Sequence, residues 1–128
     1  MTYSQICYDV IRAVATITLN RPERLNAWTP TMAVEFREAM EQANNDPQVR
    51  AIIVTGAGKG FCSGVDMNAL EGMTSSGKTA SKSFTPLDPA AREDFQHPMT
   101  WLPSVGKPII AAVNGAAAGL GLALLLFC

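Results

Sequence analysis

Lys107-Pro108-Ile109-Ile110-Ala111-Ala112-Val113-Asn114-Gly115-Ala116-Ala117-Ala118-Gly119-Leu120-Gly121-Leu122-Ala123-Leu124-Leu125-Leu126-Phe127-Cys128 reads as a buried strand, a turn of small residues and an apolar helix entered through glycines. Pro108 offers no ladder donor and holds Lys107 extended, so a strand can open there and run through the β-branched Ile109, Ile110 and Val113. Asn114-Gly115 ends it. Ala116 to Ala118 carry almost no side chain, and Gly119 and Gly121 flank the helix start, so a ligand can approach the main chain there. The first amides of such a helix lack internal partners and lie at the positive end of its dipole, a setting for an anion or for an oxygen that becomes one during a reaction. A run of about 20 apolar residues would also suit a membrane anchor. Asn114 and three glycines interrupt this one, and strand-turn-helix is the reading adopted over a membrane span.

Outward from that stretch, composition narrows the partners. The chain has 128 residues, 48% of them hydrophobic and 16% charged, a soluble globular composition with room for one core. Ten basic against eleven acidic residues leave no electrostatic footprint for nucleic acid or an anionic membrane, so a small molecule is the expected partner. Cys7, Cys62 and Cys128 are odd in number and lack metal-ligand spacing, which predicts reduced thiols and a cytoplasmic setting. Met1 to Gln5 has neither a basic region nor a following long apolar run, so no signal peptide is expected. At the other end the sequence stops at Phe127-Cys128 with no glycine and no cationic last turn, the expectation being a truncated product or one part of a larger fold.

Ile6 to Asp9 and Val14 to Leu19 predict a hairpin around Ile11-Arg12-Ala13, with Ala15, Ile17 and Leu19 facing inward and Thr16 and Thr18 outward. Thr29 is a candidate N-cap with Pro30 at the first helical position, and Met32, Phe36, Ala39, Met40 and Ala43 recur at helical spacing before Asn44-Asn45-Asp46-Pro47. Val49 and Ala51 to Val54 form a nearly continuous apolar run, the mark of a strand covered on both faces in a parallel sheet. Gly56 to Gly64 is a glycine-rich connection, Val65 to Gly72 a short helix, Met73 to Pro89 a loop with little fixed structure, and Ala90 to Leu102 a helix that Pro98 breaks or kinks.

Several motifs fail on inspection. Gly56-Ala57-Gly58-Lys59-Gly60 lacks the Gly-Lys-Ser/Thr ending of a phosphate loop, and its glycines miss the dinucleotide spacing. Ser63 has no evident histidine partner, since His97 is the only histidine and reads as a surface or lid residue. Cys62 reads as a small buried thiol. Asp66, Glu71, Glu93 and Asp94 could reach a pocket, although acidic side chains in such segments are usually solvated. What remains is two corners that present main chain, Ser63-Gly64-Val65-Asp66 and Ala118-Gly119-Leu120-Gly121, each after the carboxyl end of a predicted parallel strand, where open α/β sheets bind ligands. Two amides converging on one point would make an oxyanion hole; two tight strand-to-helix turns would look the same in sequence.

Asn20-Arg21-Pro22-Glu23-Arg24-Leu25-Asn26-Ala27, Gly60-Phe61-Cys62-Ser63-Gly64-Val65-Asp66-Met67 and the stretch Lys107 to Gly121 resemble, in order, the three signature regions of the crotonase family, the enoyl-CoA hydratases and isomerases. The resemblance implies an α/β fold, a crotonase-like spiral of ββα units, here one domain over residues 1–128 that is truncated before the C-terminal helical part, with a variable loop at about 73–100. It implies a homotrimer or hexamer for the intact protein. It also implies an acyl-CoA thioester as partner, with no separate cofactor because CoA is part of the substrate.

Carried over by position, the resemblance makes the backbone N–H groups of Val65 and Leu120 the two oxyanion donors, with Gly119 beside them. Val65, Asp66, Met67 and Asn68 would line the CoA path, and Arg24, Leu25 and Ala27 its other wall. The family often has a glycine where Leu120 stands. At Ala123 typical hydratases have a glutamate, and alanine cannot transfer a proton, so the implied chemistry is isomerase-like, relying on an acid/base residue expected after Cys128. A non-catalytic acyl-CoA binder or scaffold, or an inactive fragment, are the alternatives.

Overall fold

The computed structural model describes residues 2–75, 87 and 90–128. Strands β1 (Ile6–Ile11) and β2 (Val14–Leu19) pair antiparallel from Ile6↔Leu19 to Ile11↔Val14. Their turn is Arg12-Ala13, with φ of 50° and 66°. That left-handed pair matches the twist of a two-residue hairpin, and neither residue is one that usually adopts it. The first strand therefore runs two residues beyond the expected Asp9. Ala15, Ile17 and Leu19 are fully buried, and Thr16 and Thr18 are not.

Helix α1 (Pro30–Asn45) begins as its sequence implies, with Thr29 Oγ1 accepting the Met32 amide at 3.1 Å and Pro30 first in line. Its buried residues are Met32, Phe36, Ala39, Met40 and Ala43, the stripe set by the 3.6-residue period, and they pack with Ile6, Ala15, Ile17 and Leu19. The far end of α1 is held by a distant segment. Lys107 Nζ donates to the Ala43 and Asp46 carbonyls at 2.7 and 2.5 Å, and the Gly106 amide donates to Asn44 Oδ1 at 2.9 Å.

Strand β3 (Ala51–Gly56) pairs parallel with β2, and β4 (Ile109–Ala111) pairs parallel with β3, giving the order β1-β2-β3-β4. Only one face of β3 is closed. Ile52 and Val54 are fully buried, whereas Ala51, Ile53 and Thr55 are half-buried, so coverage on both faces does not hold for the described residues. Val49 is buried but lies ahead of the strand, in a turn where its amide donates to the Asp46 carbonyl at 3.1 Å. The last strand stops at Ala111, short of Val113.

Helix α2 (Met67–Ser75) extends three residues past the expected Gly72, and most of the loop predicted over 73–89 lies outside the described residues. The helix expected over 90–102 is not formed. Two short 3-10 turns, Glu93–Phe95 and Leu102–Ser104, stand there instead. Pro98 and Pro103 remove helical donors, and Thr100 Oγ1 binds the Asp94 carbonyl at 2.5 Å and the His97 amide at 3.2 Å, local bonds that compete with a helix. Trp101 and Leu102 still reach the core. The Phe36 ring sits between Trp28, edge-on at 5.4 Å, and Trp101 at 6.1 Å, with the Arg37 guanidinium 4.7 Å over Trp101. Helix α3 (Leu120–Leu126) closes the described fold. Among the described residues no helix is long and apolar enough to cross a membrane.

Candidate active site

The two main-chain corners meet. Cys62 and Ala117 form a parallel bridge, the Phe61 and Cys62 amides both donate to the Ala116 carbonyl at 3.0 and 3.2 Å, and the Ala118 amide donates to the Cys62 carbonyl at 3.1 Å. A Cβ built on Gly64 would stand 3.3 Å from the Ala118 carbonyl oxygen, and one on Gly119 would stand 3.9 Å from Gly64 Cα. Gly119, at φ 53° and ψ −121°, holds a conformation that L side chains rarely adopt. That residue turns the chain from the corner into α3.

At the first corner, Trp28 and Val65 are parallel bridge partners: the Trp28 amide donates to the Gly64 carbonyl at 2.7 Å and the Asp66 amide to the Trp28 carbonyl at 2.8 Å. Peptide groups alternate along extended chain, so the Val65 N–H faces away from Trp28. At the second corner Leu120 is the first residue of α3, where no carbonyl of the helix can reach its amide, while the next amide, of Gly121, already donates to Ala118 at 2.9 Å. Among the described residues neither the Val65 nor the Leu120 amide meets an acceptor.

Val65 and Leu120 line one cavity of about 210 Å³, together with Trp28 ahead of α1, Pro30 and Ala33 from the start of α1 and Ala69 from α2. Val65 also lines a second cavity of about 300 Å³, more polar, bounded by Arg24 and Ala27 on one side and Asp66, Met67 and Asn68 on the other. Thus the expected CoA-path residues gather around one space, with two exceptions. Leu25 lines neither cavity: its side chain lies over Gly60 and its carbonyl accepts the Ser63 amide at 3.1 Å. Gly119 is the joint described above and borders neither cavity.

Asp66 lines the polar cavity with its carboxylate already engaged. Oδ1 accepts the Asn68 and Ala69 amides at 3.0 and 3.2 Å, capping α2, and Oδ2 lies 3.2 Å from Arg21 Nη1. The Ala69 amide, then Arg21 and the Asn68 amide, hold this carboxyl below the usual range against the opposing effect of desolvation. Arg21, absent from the expected site, donates also to the Ala27 carbonyl at 2.7 Å and so ties the two walls of the cavity together. Asn26, fully buried at φ 55°, donates to the Ala57 and Gly60 carbonyls at 3.0 and 2.8 Å and accepts the Arg21 amide at 2.8 Å. Asn114 also donates to the Gly60 carbonyl, at 3.2 Å, from the side of β4.

Other candidates fall away. Cys62 is buried and its thiol is pushed up by desolvation, which keeps it protonated at neutral pH. Ser63 is exposed with no base beside it, and His97 is exposed and lines neither cavity. A wider hollow of about 450 Å³ beside Tyr3, Tyr8 and Gln42 contains none of the expected site residues. Among the described residues no cluster of three His, Cys, Asp or Glu could hold a metal ion.

The α/β fold thus brings two amides that meet no acceptor among the described residues to adjoining strand-to-helix corners, beside one apolar and one polar cavity. The pattern of the family described as enoyl-CoA hydratase/isomerase matches residues 10–128, and the chain belongs to that family, with a crotonase-like fold. It is similar to a probable enoyl-CoA hydratase of Mycobacterium tuberculosis, 40% identical over 124 residues, which cover 97% of this chain and 44% of the relative. It is also similar to the 1,2-epoxyphenylacetyl-CoA isomerase of Escherichia coli, 38% identical over 94% of this chain and 44% of that one. Among solved structures, an enoyl-CoA hydratase from Bacillus anthracis superposes with a TM-score of 0.79 at 30% identity, covering 98% of this chain and 45% of the other. The chain therefore spans a little under half the length of the curated relatives it matches.

Proposed function

We propose that this chain binds an acyl-CoA thioester and stabilises the enolate form of its carbonyl with the Val65 and Leu120 amides. One observation carries the reading: both N–H groups are without an acceptor among the described residues, and both residues line the same cavity. The polar cavity past Val65, bounded by Arg24, Asp66 and Asn68, would take the pantetheine side of the molecule.

The chemistry this arrangement serves is proton removal from carbon next to a thioester carbonyl. As the proton leaves, negative charge grows on the carbonyl oxygen, and donors already aimed at that oxygen lower the barrier without reorganising. Removing one such donor typically costs a factor of about 10² to 10³ in rate. Ala123 lies one turn into α3 and supplies no acid, and Asp66, the only carboxylate lining either cavity among the described residues, is held ionised by Arg21 and the α2 amides. A base from outside the described residues must take the proton, and a single such base, which can return the proton to another carbon, favours shifting a double bond over adding water. The same observation supports a second reading, a thioester binder without turnover.

Leu120→Pro tests the donor directly. The first helical position tolerates proline, and the substitution deletes the one amide in question while leaving the helix its remaining bonds. Titration with acetoacetyl-CoA should produce the near-ultraviolet absorbance of a bound enolate. In the proline variant that band should fall by a factor of about 10² in association constant, while free CoA binds as before. An enolate band of equal strength in both proteins would remove Leu120 from the proposed role.

A further inference from the structure

The cavity shared by Val65 and Leu120 is walled by hydrocarbon. Trp28, Pro30, Ala33, Ala69 and Leu120 give it an almost wholly apolar lining among the described residues. Among the described residues the one hydroxyl at its edge belongs to Thr29, whose proton goes to the Gln5 side-chain oxygen and whose oxygen accepts the Met32 amide. With the Val65 and Leu120 amides taken by the thioester oxygen, a hydroxylated or charged acyl group would give up its water here and find no further donor among the described residues. The space favours an uncharged hydrocarbon.

Size and surface narrow it further. An apolar protein cavity of about 150 Å³ holds a benzene molecule. At about 210 Å³ this one, open to solvent on one side, has room for a phenyl ring and a carbon or two beyond it, and most of a long saturated chain would lie outside it. Trp28 is 9% exposed and is pinned edge-on by Phe36 at 5.4 Å, so it stands as a fixed aromatic wall before anything binds. Aromatic rings gain from meeting such a wall beyond the area they bury, and a wall that does not move loses no freedom on binding.

From the thioester reading above, we infer that the acyl group is a compact aryl-bearing one, of about phenylacetyl size, and that Trp28 forms the wall that selects it. The test is calorimetric titration of the chain with acetyl-, phenylacetyl-, succinyl- and palmitoyl-CoA. Phenylacetyl-CoA should bind at least about tenfold more tightly than acetyl- or succinyl-CoA, and palmitoyl-CoA no more tightly than phenylacetyl-CoA. Ala69→Leu and Ala33→Leu each add a helix-favouring side chain at a half-buried position and fill the cavity from opposite helices. In each, the ratio of phenylacetyl to acetyl affinity should fall from tenfold towards one. Equal binding of the acetyl and phenylacetyl esters by the unaltered chain, tighter binding of succinyl- or palmitoyl-CoA, or a ratio untouched in both folded variants would overturn the aryl assignment while the thioester reading stands. Failure of every ester, acetyl-CoA included, would remove both.

Discussion

Gly121 illustrates how a residue that reads as a gap for a ligand can be a gap for the chain itself. A Cβ there would lie 2.0 Å from the Cys62 carbonyl oxygen and 2.8 Å from Cys62 Cβ, so its missing side chain lets α3 close onto the strand end before the Val65 corner. Because the obstruction is backbone, Gly121→Ala should cost about 3 kcal/mol or more, seen as a fall in Tm on the order of 10 °C. An alanine variant that melts with the parent would mean the corner yields more easily than its packing implies. The two main-chain corners were legible from their glycines, but the choice of Val65 and Leu120 came from the family resemblance, since two tight turns would look the same in sequence. Arg21 was not legible, since it and Asp66 are 45 positions apart and nothing in a polar turn marks which arginine finds which carboxylate. Asn26 left a fainter signal, being a residue type that tolerates positive φ, at a place where the backbone uses it.

Among the elements, α1 was the most readable, because its cap, its proline and its apolar stripe all agree and need no tertiary context. Its C-terminal closure was hidden, as the cation comes from Lys107 on the far side of the variable loop. A charge at that end of a helix, with two carbonyls accepting from it, stabilises by about 1–2 kcal/mol. Lys107→Met should lower the free energy of urea unfolding by that amount and leave the slope unchanged. An undiminished midpoint would show the contact to be incidental. The helix expected over 90–102 does not form for a definite reason: apolar spacing there suits a helix, but the prolines lack amide donors and the Thr100 hydroxyl engages backbone groups a helix would use. The short apolar run of β3 misled in another way, since half-burial on its second face depends on what packs there and leaves no mark on the strand's own composition.

Across the whole molecule, two carboxylates join distant parts and set the response to acid. Glu35 on α1 accepts the Ser4 amide and hydroxyl and the Gln5 amide at 2.8, 2.7 and 2.8 Å, and these bonds outweigh the upward push of burial to leave its carboxyl below its ordinary value of 4.5. Asp66 is likewise lowered from 3.8. For groups lowered on folding, the stabilisation is complete above the ordinary values and disappears as pH falls through the folded ones. A Glu35→Gln, Asp66→Asn variant, which keeps the cap but removes both charges, should be less stable at neutral pH, and its deficit should shrink between about pH 5 and pH 2. A deficit that does not change with pH would assign the loss to packing. The sheet order bears on how such a molecule comes into being. Each described strand after the first lies beside the one synthesised just before it, so the nascent chain can zip this ribbon vectorially, hairpin first, each newcomer meeting a finished edge instead of waiting for a distant mate.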